Sequence, residues 1–181
     1  MLHDFFAYFF IPVSSIMFAG TSNWMATNFS ILRNGNQKEP LFLMWAFSVI
    51  ICFSHWFGSL SQRLSYAGKA VLLVRISCVI LGIAILTPYL PETFPFWSRI
   101  HFYCAFLSPF FFLLGLLMLL LCYRKKNPRA GRLYLTGFCL ITSISLILLW
   151  TAGMVTSALE IFLTAASGVL LRRLHRRMEG S

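Results

Sequence analysis

Four ionisable side chains, His55, Arg75, His101 and Glu160, sit inside stretches of this sequence that are otherwise apolar. A polar group in hydrocarbon costs several kcal/mol unless it finds a partner, so each position marks pairing, hydration or a site. Glu160 is the most informative, because a carboxylate about four residues inside a short apolar run must be protonated, paired or wetted. His101 and Arg99 open another such run. If the two helices pack side by side, Glu160 meets His101 or Arg99, and Trp24, Arg99, His101 and Glu160 line one ligand site. An interhelical salt bridge accounts for the same residues. Arg75 either snorkels its guanidinium to the headgroups or pairs, and His55, followed by Trp56, reads as interfacial or as a ligand.

Other chemistries lack their residues. Axial haem histidines need matched depth, whereas His55 and His101 fall toward opposite faces and His3 and His175 lie near the chain ends. No His, Cys and carboxylate set has metal-ligand spacing, so neither metal nor cofactor is expected. His101 and Ser108 are two helical turns apart, too far for a nucleophile and its base, and phosphate-loop and metalloprotease patterns are missing. The five cysteines, Cys52, Cys78, Cys104, Cys122 and Cys139, fall inside apolar runs, form no C-x-x-C pair and read as packing residues. Cys122, beside a basic loop, would suit palmitoylation in a eukaryotic host. Asn28-Phe29-Ser30 spells a glycosylation sequon.

The elements that must position these groups follow from composition. Of 181 residues, 59% are hydrophobic and only 11% charged, and the mean hydropathy is +0.78, a balance foreign to soluble domains. A bilayer crossing takes roughly 20 apolar residues. Six runs qualify, at about 5–20, 41–60, 70–90, 100–123, 133–151 and 156–171, the last short and acidic. Backbone groups in lipid must be satisfied within the segment, so the fold class is all-α, a polytopic bundle of six transmembrane helices in one domain. The first run lacks a basic leader and a cleavage site, and reads as a retained span.

Six spans sort the loops onto two sides. Arg63, Lys69, Arg124, Lys125, Lys126, Arg129, Arg132, Arg172, Arg173, Arg176 and Arg177 share one side with both termini, while the other holds only Arg33, Lys38 and Arg99. Basic residues stay cytoplasmic, which places both termini inside and points to the plasma membrane. The net charge of +10 is then explained by the loop at 124–132 and the tail at 172–181. Each such cation contributes about 1 kcal/mol at an anionic leaflet. Membrane lipids, anionic on the cytoplasmic side, are the expected partners, not nucleic acid.

The outer linker at 21–40 is the longest, and its Trp24, Phe29, Ile31 and Leu32 suit the headgroup region or a cap on the bundle. A short surface helix is expected in Met25–Leu32. Pro12 and Pro109 should kink their spans, and Ala165-Ala166-Ser167-Gly168 offers a small-residue face for close helix approach. The two halves show no inverted repeat of the transporter kind.

Six spans, inside termini and a polar first outer loop carrying Ser22-Asn23-Trp24 and Thr27-Asn28-Phe29-Ser30-Ile31, with His101 opening the fourth span, resemble the Frag1/DRAM/Sfk1 group and bacterial DUF998-type proteins. The resemblance implies a fold; the chain lacks the acidic pair expected of the eukaryotic members' outer loop, so their roles do not carry over. Three functions fit the sequence: binding or handling of a lipid or small amphiphile near the outer leaflet, a non-catalytic partner subunit of a membrane complex, or a small homo-oligomeric transporter or channel. No pair of residues meets the geometry that catalysis needs.

Overall fold

Apolar runs long enough to cross a bilayer become helices in the computed structural model, which describes residues 2–34, 38–64 and 67–179. Among the described residues there are seven helices and no strand. They are α1 (Leu2–Ala19), α2 (Phe29–Arg33), α3 (Glu39–Gln62), α4 (Gly68–Leu86), α5 (Pro95–Lys126), α6 (Pro128–Ala152) and α7 (Ser157–Glu179). Five of them, α1, α3, α4, α5 and α6, are long and apolar enough to span. The sixth run, 156–171, lies in α7. That helix reaches its length only by continuing into the basic segment, with Arg172, Arg173, Arg176 and Arg177 in its last third.

Local chemistry sets the ends. Thr87 takes an extended conformation (φ −89°, ψ 136°) because the Pro88 ring excludes the helical one, so α4 stops at Leu86 rather than at the Leu90 expected from hydropathy alone. The next helix starts earlier than expected, at Pro95, whose missing N–H costs nothing at a helix start. Gly20 and Gly153 end α1 and α6 with φ of 56° and 67°, a region open to glycine without strain. Pro12 lacks the N–H that Tyr8 would bond in an α-helix, and the preceding turn, Phe6–Phe10, widens to a π-helix.

Two compact units divide the chain: Met1–Trp56 with Thr136–Ser181, and Phe57–Leu135. In the second, α4 and α5 form an antiparallel pair. Gly115 makes that approach possible, since a Cβ there would fall 2.7 Å from Val74 and 3.0 Å from the Ala70 carbonyl. Ser77 and Ser108 bridge the pair, each hydroxyl within hydrogen-bond reach of the other residue's carbonyl (2.8 and 3.1 Å). Only Asn127 separates α5 from α6, and Gly131 lies against the Arg124 backbone where no side chain fits. In the first unit α7 packs against α1, and the Gly168 surface meets Phe53 and Trp56 of α3.

Candidate functional site

The first four N–H groups of a helix have no partner within it. At the start of α7 the linker supplies them. Ser157 N–H donates to Thr27 O (2.6 Å) and Ala158 N–H to Trp24 O (3.0 Å), while the Ser157 hydroxyl also reaches Thr27 O at 3.1 Å. Glu160 returns the favour: its Oε2 accepts the Phe29 N–H at 2.7 Å, at the start of α2. Of the short helix expected over Met25–Leu32 only the second half forms, as Phe29–Arg33, because Asn28 caps it there by accepting the Ile31 N–H at 2.8 Å. Phe29, fully buried, sets its edge against Phe18 and Trp45 (ring centroids 4.9 and 4.7 Å). The Trp24 indole N–H is held by Gly20 O at 3.0 Å. Glu160 thus binds linker backbone to helix, an architectural use of the carboxylate.

The other two residues of the expected site belong to the second unit. His101 is 4% exposed, and its Nδ1 lies 2.7 Å from Ala84 O and 3.1 Å from Thr87 O. Two carbonyls around one nitrogen require that nitrogen to carry the proton, so the imidazole closes off the C-terminal turn of α4. Arg99 is exposed beside a recess of about 480 Å³ with Tyr89, Ser98, Phe102 and Tyr103. Of the four residues, Trp24 and Glu160 meet through the linker, and Arg99 and His101, two residues apart on α5, face nearly opposite sides of that helix. Arg75 is exposed on α4.

A cluster that spacing did not reveal forms where α1 begins, α3 ends and α7 ends. Arg172, read from the sequence as a headgroup contact, is 5% exposed. Its Nε donates to Asp4 Oδ1 at 2.9 Å and its Nη1 to Glu179 Oε2 at 3.3 Å. His175 Nδ1 lies 2.9 Å from Arg172 Nη1 and 3.3 Å from Glu179 Oε1. As neutral imidazole it accepts from the arginine; protonated there, it donates to the carboxylate. His3 stacks on His55 (centroids 4.9 Å, interplanar 13°) and accepts the Trp56 indole N–H at 3.3 Å. One signal was available: Arg172, His175 and Glu179 recur at i, i+3 and i+7, one face of a helix. Among the described residues, no group of three His, Cys, Asp or Glu is placed to hold a metal ion.

A groove of about 750 Å³ runs along the outer face of α7 in the same unit. Pro12 and Ile16 of α1 form one wall, and Gly137, Leu140 and Ile141 of α6 the other. Its floor is hollow because α7 presents Ala158, Ala165 and Ala166 there. Trp24 stands at one end and Arg173, the one charged residue of the lining among the described residues, at the other. From Ala158 to Arg173 the helix rises roughly 22 Å, most of the ~30 Å of a hydrocarbon core.

The remaining basic residues stay outside. Arg124, Lys125, Lys126, Arg129 and Arg132 are exposed at the α5–α6 corner, as are Arg176 and Arg177 on α7. No protein-family model, curated protein or solved structure matches the chain, so the site stands on its own residues.

Proposed function

We propose that this chain is a multi-pass protein of the plasma membrane that holds a lipid or small amphiphile in the groove along α7. The observation that carries the reading is the groove itself: apolar along its length, walled by three helices and of a size within the roughly 300–1,000 Å³ of ligand sites. The reading includes six spans, with 156–171 of α7 as the sixth and both termini cytoplasmic. The basic asymmetry between loops supports that orientation. Trp24 then stands at the outer end of the groove, a level that suits an indole. Glu160 acts indirectly, by fixing the linker that carries Trp24.

Native mass spectrometry of the protein released in mild detergent tests this. A retained adduct of defined mass is expected, and Leu140→Trp should remove it, because Leu140 is exposed in the groove wall and a larger ring fills the space. Bare protein under conditions that keep it folded overturns the reading.

A further inference from the structure

We infer that the recess at the α4–α5 turn is a phosphate-binding site, with Ser98, Arg99 and Tyr103 donating to one phosphate ester. It belongs to the second unit and shares no lining residue with the groove along α7. Helix periodicity builds it. Pro95, Ser98, Arg99, Phe102 and Tyr103 recur at i, i+3, i+4, i+7 and i+8 along α5, one stripe of that helix, and Tyr89 and Pro91 of the turn complete the lining. The rings of Pro91 and Pro95 lock φ at two points, and Tyr89 rests its ring 5.4 Å from His101, which lies against the Ala84 and Thr87 carbonyls. The recess is therefore preformed, and its volume of about 480 Å³ falls within the roughly 300–1,000 Å³ of ligand sites.

The lining offers donors without an anion to match. Among the described residues, no hydrogen bond or ion pair engages the Arg99 guanidinium or the Tyr103 hydroxyl. Ser98 is 4% exposed; its Oγ accepts the Leu90 N–H at 2.9 Å, while its own proton meets no acceptor among those residues. Glu92, the acid of the turn, is exposed and outside the lining, and among the described residues no ion pair joins it to Arg99. A buried hydroxyl with an unused proton beside such a cation suits an oxyanion. A carboxylate accepts in one plane through two oxygens, whereas the tetrahedral oxygens of a phosphate ester also reach donors outside that plane, as a guanidinium fork and two hydroxyls do. Depth fits as well. Arg99 and Arg124 are 25 residues apart on α5 (124 minus 99), a rise of roughly 38 Å against the ~30 Å of a hydrocarbon core. With Arg124 at one surface, Arg99 reaches the headgroup level of the opposite leaflet, where the exposed Trp97 is also at home. A phospholipid headgroup and a soluble phosphate ester in the adjoining water present the same chemistry there.

The test uses the full chain, delipidated in mild detergent, with binding read by native mass spectrometry as probes are titrated. Two pairs of probes are compared: phosphatidylglycerol with diacylglycerol of identical acyl chains, and glycerol 3-phosphate with glycerol. Wild type is expected to prefer a phosphate-bearing probe over its phosphate-free counterpart by at least about tenfold. Preference within the first pair alone assigns a lipid headgroup, and preference within the second assigns a soluble ester; either sustains the site. Arg99→Gln should cut the preference about tenfold and Tyr103→Phe about threefold, with the unfolding temperature unchanged because both side chains are exposed. Arg129→Gln, at an exposed cation of the α5–α6 corner, and Leu140→Trp, in the groove along α7, should leave it unchanged. If neither pair shows a preference, or Arg99→Gln changes nothing, the site is overturned. A preference lost in Leu140→Trp would move the phosphate to the groove and overturn it too. A fatty acid bound as tightly as phosphatidylglycerol would overturn the choice of phosphate.

Discussion

At its N-terminal end α7 is held by backbone: linker carbonyls of Trp24 and Thr27 take its first N–H groups, and Glu160 takes one from the linker in exchange. At its C-terminal end it is held by ions, with Arg172 drawn between Asp4 and Glu179 and His175 beside it. The first arrangement satisfies groups that every helix leaves open, so its polar atoms offset one another wherever the bundle sits. The second buries a permanent cation, and its value depends on every counter-charge remaining in place. One helix thus carries a joint made largely of backbone groups at one end and a charge-dependent clasp at the other.

The largest effect should come from stripping the clasp of its anions. Asp4→Asn with Glu179→Gln leaves Arg172 charged and buried, and should destabilise by about 3–5 kcal/mol. Arg172→Leu removes the ion itself and should cost clearly less, because Asp4 and Glu179 are partly exposed and can hydrate. Thermal unfolding of the two variants in one detergent decides the order, and equal losses would mean that packing dominates.

At the other end, Glu160→Ala should cost about 1–2 kcal/mol by orphaning the Phe29 N–H, whereas Glu160→Gln keeps an acceptor and should cost less than half of that. Hydrogen exchange at Phe29 and Ile31 reads the loss directly. A Gln variant as damaged as Ala would give the carboxylate charge a role beyond this bond.

Acid should tell the ends apart more gently. Burial pushes the Glu179 carboxyl up, but the charges of His175 and Arg172 outweigh it and hold its pKa below the ordinary value. A group depressed on folding adds stability above its unfolded pKa, and that contribution disappears as pH falls through the folded one. The unfolding temperature should therefore drop below about pH 4.3, the ordinary glutamate value, and Glu179→Gln should flatten that part of the curve. The smallest change is expected of His55→Phe, which keeps a ring stacked on His3 and should shift stability by under about 1 kcal/mol.

Much of the fold was legible, since a run of twenty apolar residues has few alternatives in lipid. The errors lie where a single ring decides: hydropathy carries the third span through Pro88, and the chain does not follow. The sixth apolar run is the hardest to read, because α7 runs on through a segment that looks like a charged tail, and Arg172, His175 and Met178 are buried there. Spacing grouped Trp24, Arg99, His101 and Glu160 in one site with Glu160 meeting His101 or Arg99, whereas the linker joins Glu160 to Trp24. That connection through Thr27 and Phe29 was not legible, because it runs through backbone atoms that every residue type shares. The clasp joins residues 168 positions apart (172 minus 4), and only its α7 face had a periodic signature.

The corner between α5 and α6 has a consequence for anyone engineering this chain. A single non-helical residue joins 32- and 25-residue helices, and Gly131 touches the Arg124 backbone with no room for a methyl group. Arg124, Lys125, Lys126, Arg129 and Arg132 are consequently displayed on a stiff elbow, with fixed spacing between the charges. An epitope tag or protease site spliced at Asn127 would have to prise the helices apart to be reached. The corner should resist proteolytic nicking despite carrying five basic residues within nine positions, each a target for a trypsin-like enzyme.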